Sequence, residues 1–460
     1  MKTVYLASGA GDMYCGSCLQ GNTLAAALIE ARQDVLLVPA YTPIRTDEEN
    51  VSIDRMVFGG LNVYLQQKSA LFRHTPRFLD RLFDRPALLR RLGKRSASTR
   101  PESLGPLTVS MLRGEEGRQR KELEKLIDWL AREIRPDLVH LSNVLLVGMA
   151  RQIARRLGVP VVCTLSGEDI FLEKLPEPYY SQARAELGRR CGELAALVAL
   201  NGYYADFMAE YLPVTRDRIR VIPPGLNLAG HTAPTTSPAD APADAPADAP
   251  ADAPAGRSAS DEVTLGYLGR ICPEKGLHQL AEAFEILADE PGLPPVRLAA
   301  AGYLAKGHRP YLAGIEARLR DRGLAGRFEY VGELDRAAKI AFLRSLDVMS
   351  LPTVYRESKG ISVLEAWANG VPVVLPAHGA FPELVEDTGG GLLCEPHDPA
   401  ALAAALAQLI RDPRQAAALG HRGQQAVHQR YHAGLMARRT IDLYNHLAAP
   451  VIAAPRSGRS

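Results

Sequence analysis

"DVMSLPTVYRESKGISVLEAWANGVPVVLPA", residues 347–377, reads as strand, loop, helix and strand in one run. "DVMSLPT" is a short apolar stretch and "VYRES" interrupts it. "GISVLEAWANG" has helical spacing until Gly370 and Pro372 stop it, and "VPVVLPA" starts the next strand. A helix between two such strands is the crossover that parallel pairing requires. The same alternation extends backward from this stretch through "VTLGYLG", "VRLAAAG" and "FEYVG", and forward to "GLLCEP". An earlier series, "TVYLAS", "DVLLVPA", "DLVHLS", "VPVVCTL", "LVALN" and "IRVIPP", repeats the rhythm in the first half. Two such series predict an α/β protein built from two parallel sheets covered by helices.

A chain of 460 residues with 47% hydrophobic content is long enough for two domains with substantial cores. Between the two series lies "PADAPADAPADAPADAPA", residues 238–255, a tetrapeptide repeat with nothing to anchor a core. The expected organisation is therefore a first α/β domain over 1–228, a linker over 229–260 and a second domain over 261–430. Residues 431–460 are expected to form a helix packing back toward the first domain, followed by a frayed polar tail. Lysine and arginine total 54 against 52 acidic residues, which gives no polyelectrolyte signature for nucleic acid. The six cysteines are mostly scattered, as suits a reduced cytoplasmic protein. The N-terminal apolar run is too short for an export signal, and no stretch approaches the roughly 18 apolar residues of a spanning helix.

The loop and helix of the opening stretch carry the chemistry. Ligands of such sheets gather at the carboxyl ends of the strands, where helix N-termini offer backbone N–H groups to anions. Gly360 lets a phosphate approach the main chain, and Glu365 lies about one and a half turns into the helix, some 7–8 Å along its axis. A carboxylate there could accept from a ribose, and Glu357 on the loop could meet a second hydroxylated group. Taken alone, both glutamates are equally well read as solvated helix-start residues stabilised by the helix dipole. "LGYLGRICPEKGLHQLAEAF" adds Arg270 directly after a strand and Lys275 five residues on, two cations suited to the charge on a departing diphosphate.

On "GRICPEKG" (269–276), "FEYVGEL" (328–334), "LPTVYRESKGISVLEAWANGVPVV" (351–374) and "GLLCEP" (391–396), the chain resembles a retaining glycosyltransferase of family 4, of the glycogen synthase and mannosyltransferase type. The resemblance implies a GT-B fold, two Rossmann-like domains facing each other across a cleft. It implies transfer of a hexose from a nucleotide diphosphate sugar to an acceptor, with retention, in a role such as cell-envelope polysaccharide synthesis. By the same resemblance Arg270 and Lys275 hold the diphosphate, and Glu357 meets the donor sugar. The amides of Gly360 and Ile361 meet the phosphates, Glu365 meets the ribose, and Gly332, Glu333 and Leu334 flank the base. Lys359 stands where an aromatic or aliphatic residue is usual and would add a cation beside the phosphates. No cofactor beyond the sugar nucleotide is implied. The absence of any Asp-x-Asp argues against a carboxylate-held metal on the diphosphate.

The first half is expected to serve the acceptor, whose identity does not follow from these residues. "SGAGDMYCGSCLQGNTLAAAL" (8–28) joins the first strand to the first helix, and the family's Gly-Gly pair facing the donor phosphate appears here as Gly16-Ser17. Tyr14 stands where a dinucleotide fingerprint needs its third glycine, which removes the best motif of an NAD-type oxidoreductase. Cys15 and Cys18 form a C-x-x-C at a helix start, read here as small side chains lining a cleft ahead of a redox pair. Family members carry a histidine after the strand "VPVVCTL", and this chain has Ser166. A hydroxyl hydrogen-bonds a sugar but does not relay a proton near neutral pH. Glu168, Asp169 or His140 could compensate; His140 is equally well read as a satisfied strand-end residue.

Residues 68–100 hold ten Lys or Arg and two Asp, with Phe78, Leu79, Leu82, Phe83 and Leu89 on one helical face. Such a helix could rest on an anionic membrane and bring the enzyme to a lipid-linked acceptor, or simply pack its apolar stripe inward. Two other functions fit the residues: a nucleotide-sugar epimerase of the same fold, and a non-catalytic nucleotide-sugar binding protein.

Overall fold

A computed structural model describes residues 1–9, 16–54, 67, 101–234 and 262–449. Tyr14, Cys15, the basic segment 68–100, the repeat 238–255 and the polar tail lie outside the described residues. The chain divides into two compact units, one formed by Met1–Gly225 with the chain from Ala433 onward, the other by Leu226–His432.

Within the described residues of the first unit, six strands form one parallel sheet in the order β2-β1-β3-β4-β5-β6. They are β1 (Lys2–Ala7), β2 (Asp34–Pro39), β3 (Leu138–Leu141), β4 (Val161–Thr164), β5 (Ala196–Ala199) and β6 (Ile219–Val221). Every residue of β3, β4 and β5 is buried. Helices therefore cover both faces, which is why these strands read as unbroken apolar runs without alternation. The helix Ala433–Ala448 returns to this unit and packs on the helix Gly16–Glu30, with Met436, Ala437, Leu443 and Tyr444 in one cluster with Tyr5, Leu24, Ala25 and Leu28.

The second unit repeats the architecture in the order β12-β11-β10-β7-β8-β9, again all parallel. Its strands are β7 (Val263–Leu268), β8 (Val296–Ala301), β9 (Phe328–Gly332), β10 (Val348–Ser350), β11 (Val373–Pro376) and β12 (Gly391–Cys394). Counted within the unit this is the 3-2-1-4-5-6 order of a Rossmann sheet, and the direction of winding reverses between β7 and β10. The fold places ligands at such a reversal, beyond the carboxyl ends of the strands. Residues 227–232 belong to this unit: Arg336 donates to the carbonyls of Asn227 (2.7 Å) and Ala229 (2.8 Å), and Arg344 to that of Gly230 (2.8 Å). Among the described residues no helix is long and apolar enough to cross a membrane.

Candidate active site

The reversal between β7 and β10 brings two loops into contact. After β7 the chain passes Arg270 and makes a single turn at Pro273–Lys275, closed by Gly276 at φ +76°. A Cβ on Gly276 would lie 1.7 Å from the carbonyl oxygen of Pro352, so glycine is needed both for the left-handed backbone and for the approach. Beside it the amide of Val354 donates to the carbonyl of Glu274 at 2.9 Å. The loop after β7 is thus seated on the loop after β10.

Glu357 is what this seating positions. Only 5% exposed, its carboxylate accepts four hydrogen bonds. Oε1 takes the amides of Ser358 and Lys359, both at 3.1 Å, and Oε2 takes Lys275 Nζ at 2.6 Å and Tyr355 Oη at 2.9 Å. Burial pushes its carboxyl upward, but the charge and hydrogen bond of Lys275 outweigh this and bring it down to about 2. Glu357 is therefore an ionised group with its lone pairs engaged, unsuited to proton donation and poorly available as a nucleophile. Lys275 Nζ also stands 5.1 Å from the ring centroid of Tyr355. The phenol of Tyr355 is pushed well up by burial and then by Glu357, with Arg270 pulling the other way. The exposed Arg270 is thus electrostatically part of the same group.

The main chain then turns through Gly360, at φ +69°, into the helix Ile361–Ala368. A Cβ on Gly360 would meet Leu384 Cδ1 at 2.6 Å. Backbone amides at such a start lack intrahelical acceptors and sit at the positive end of the helix dipole. Glu365, the fifth residue of this helix, is buried and ion-paired with Lys339 of the helix Arg336–Arg344. Arg270 and Lys275 therefore lie on the loop after β7, and Glu357, Lys359 and Gly360 on the loop after β10 that it touches, with Ile361 opening the following helix and Glu365 inside it. Gly332 closes the edge strand β9 at φ +88° and leads into Glu333 and Leu334; its carbonyl accepts from the amide of Gly302 at 2.8 Å.

In the first unit the start of the helix after β1 meets the loop after β4. Gly16 and Ser17 open the helix Gly16–Glu30, and Ser17 Oγ donates to Ser166 Oγ at 3.4 Å. Ser166 is fixed in turn by Glu168, which accepts from the Ser166 amide (2.8 Å), the Ser166 hydroxyl (2.9 Å) and the amide of Val144 (3.3 Å). Asp169 accepts from Tyr204 Oη at 2.7 Å. Glu168 and Asp169 are thus buried struts that orient the loop bearing Ser166. His140 does not join them. It lies 1% exposed in β3, its Nδ1 2.6 Å from Tyr444 Oη and its Nε2 2.7 Å from Thr164 Oγ1. Burial lowers its imidazole to about 3, so it is a neutral core residue with both ring nitrogens occupied, and the expectation that it could compensate for the missing histidine is corrected accordingly.

Two residues that contact Glu365 and Glu357, namely Lys339 and Tyr355, were not singled out from the sequence. Lys339 sits in "RAAKIAFLR" beside Ile340 and Leu343, all three buried, so a cation on an apolar helical face was its signal. Tyr355 had none, since an aromatic residue in a loop has many uses.

Solved structures share this architecture along almost the whole chain. Sucrose-phosphate synthase from Thermosynechococcus elongatus superposes with a TM-score of 0.67 at 20% identity, covering 97% of this chain and 99% of that one. Anabaena HepE in complex with UDP and glucose gives 0.63 at 17%, covering 97% and 100%. The protein has the GT-B fold. The model of "Glycosyltransferase Family 4" matches residues 100–229, and that of "Glycosyl transferases group 1" matches residues 248–426. A D-inositol 3-phosphate glycosyltransferase of Xylanimonas cellulosilytica is 29% identical over 67% of this chain and 71% of its own length. A phosphatidyl-myo-inositol mannosyltransferase of Mycobacterium leprae is 36% identical over 29% of this chain and 36% of its own length. With a matching model in each unit, the chain is a glycosyltransferase of the family 4 type and a hexosyltransferase by class.

Proposed function

We propose that the second unit binds a nucleoside diphosphate hexose at the carboxyl end of its sheet and that the enzyme transfers the hexose with retention. The observation that carries this reading is the Lys275–Glu357 contact of 2.6 Å, which joins the two loops at the sheet reversal beside an amide-rich helix start. Arg270 and Lys275 would neutralise the charge that develops on the departing diphosphate, a preorganised stabilisation that needs no metal or other cofactor. The amides at Gly360 and Ile361 would receive a phosphate, with Lys359 adjacent, and Glu365 would accept from the ribose. Gly332, Glu333 and Leu334 would border the base. Glu357, already saturated by its four donors, would act by holding Lys275 and presenting a fixed negative charge to the sugar.

On the first unit, Gly16 and Ser17 are proposed for donor binding and Ser166 for the acceptor and sugar side, with Glu168 and Asp169 supporting Ser166. The relatives whose names specify inositol phosphate or phosphatidylinositol make a cyclitol the first acceptor to test. Peripheral contact with an anionic membrane through residues 68–100 would suit a lipid-linked one.

The experiment is a thermal-shift panel of UDP, GDP and ADP, followed by transfer assays with the matching sugar nucleotides and inositol 3-phosphate. One nucleotide is expected to stabilise the protein, by about 2.7 kcal/mol at a hundredfold excess over its dissociation constant. Failure of all three would overturn the donor assignment. Donor binding without transfer or hydrolysis would leave a sensor in place of an enzyme.

A further inference from the structure

The two glutamates of the donor-side cluster are held in opposite ways. Glu357 has both oxygens engaged by four donors. Glu365 has one: Lys339 Nζ binds Oε1, and no other donor meets the carboxylate among the described residues. The pair is nearly dry, with side-chain exposures of 10% for Lys339 and 7% for Glu365. A buried ion pair is weak evidence for stability, because desolvation of both charges offsets most of their attraction. An apolar pair would fill the same space more cheaply. What the lysine supplies that an apolar residue could not is a partner that fixes one oxygen, and so the rotamer, of Glu365.

The lysine is itself firmly based. Asp335 caps its helix by accepting from the amide of Ala338 at 2.9 Å, and Arg336 ties the same turn to the carbonyls of Asn227 and Ala229. Asn369 Nδ2 donates to the backbone carbonyl of Glu365 at 2.9 Å, so the main chain of the glutamate is steadied as well.

We propose that Lys339 is a positioning residue for nucleoside selection: by occupying Oε1 it fixes the orientation of the Glu365 side chain and leaves Oε2 for ribose hydroxyl donors, so that the second unit prefers ribo- over deoxyribonucleotides. This rests on the donor-site reading above. A hydroxyl donating to a carboxylate is a charge-assisted bond, and its loss should weaken binding about tenfold.

The test uses the nucleoside diphosphate that stabilises the full-length protein most, with its 2′-deoxy and 3′-deoxy forms, titrated calorimetrically against wild type, Lys339→Met, Lys339→Arg, Glu365→Gln and the Lys339→Met/Glu365→Gln double variant. The wild type should bind the ribo form about tenfold more tightly than the deoxy forms. Lys339→Met should lose most of that ratio through weaker ribo binding alone, raising the donor KM with little change in kcat. Lys339→Arg should restore most of it, and the double variant should discriminate no less than Glu365→Gln. Lys339→Gln replaces the methionine variant if that one does not fold. If Lys339→Met weakens all three ligands equally, or only lowers Tm, the lysine is merely structural and the proposal falls. If Glu365→Gln loses the ratio and Lys339→Met keeps it, this proposal fails while the donor site stands. If no nucleotide binds at all, the donor-site reading fails first.

Discussion

At the scale of single residues, Glu357 ties charge to stability. Its carboxyl, ordinarily near 4.5, is held at about 2 because Lys275 and three further donors favour the anion despite burial. Protons therefore bind the unfolded chain more readily, so the group contributes fully above pH 4.5, roughly 3 kcal/mol, and loses that contribution as pH falls toward 2. Glu357→Gln strands Lys275 with 15% of its side chain exposed. It should lower stability by about 3 kcal/mol, read in urea unfolding at pH 7, and flatten the acid limb between pH 4.5 and 2. His140 behaves in parallel. Its folded value of about 3 lies below the ordinary 6.5, so its contribution is complete above pH 6.5 and declines as pH falls toward 3. Tyr444→Phe removes the partner of His140 Nδ1 and should cost about 1–3 kcal/mol in the same assay, with donor binding unchanged. The charged motif residues were legible because Arg270 and Lys275 directly follow one strand run and Glu357 and Glu365 follow another, bracketing a predicted helix start. Lys339 was not, because its partner lies 26 positions away on another helix and only folding makes them neighbours.

At the scale of elements, the seating of one loop on another depends on Gly276. Gly276→Ala would drive a methyl into the carbonyl of Pro352 and force a positive φ on alanine, so the loops after β7 and β10 should separate. Thermal shift by the cognate nucleotide should then be lost while far-UV circular dichroism stays near that of wild type. Gly314→Ala is the matched control, since nothing lies within 4 Å of its added Cβ and its φ is not positive; it should leave fold and nucleotide binding intact. The strand segments could be read from the chain because sheets buried on both faces need unbroken apolar runs, and each of the twelve runs quoted above overlaps a strand. The order of strands in each sheet could not be read so directly. It is set by which edge each crossover returns to, and no local pattern of β7 or β10 records that they are neighbours.

At the scale of the whole molecule, the first unit is discontinuous in sequence. Its core contains Met436, Ala437, Leu443 and Tyr444, contributed after the chain has built the second unit. Ending the chain at His432 should expose Tyr5, Leu24 and Leu28, each fully buried aliphatic side chain costing about 1.5–3 kcal/mol. Hydrogen exchange should then quicken in β1 and β3 and stay unchanged in β7 and β8. The expectation of a C-terminal helix packing back toward the first domain named no partner residues, because "AGLMARRTIDLYNHLA" is an ordinary amphipathic helix whose apolar face does not announce which side chains it will meet.

That return also orders events during synthesis. A nascent chain emerges from its amino end and its domains usually fold in that order, yet here the leading half leaves the ribosome with one helix of its core still to be made. The second unit has all of its own sequence in hand by residue 432 and is the one able to finish first, while the opening strands wait, partly uncovered, for translation to supply Tyr444.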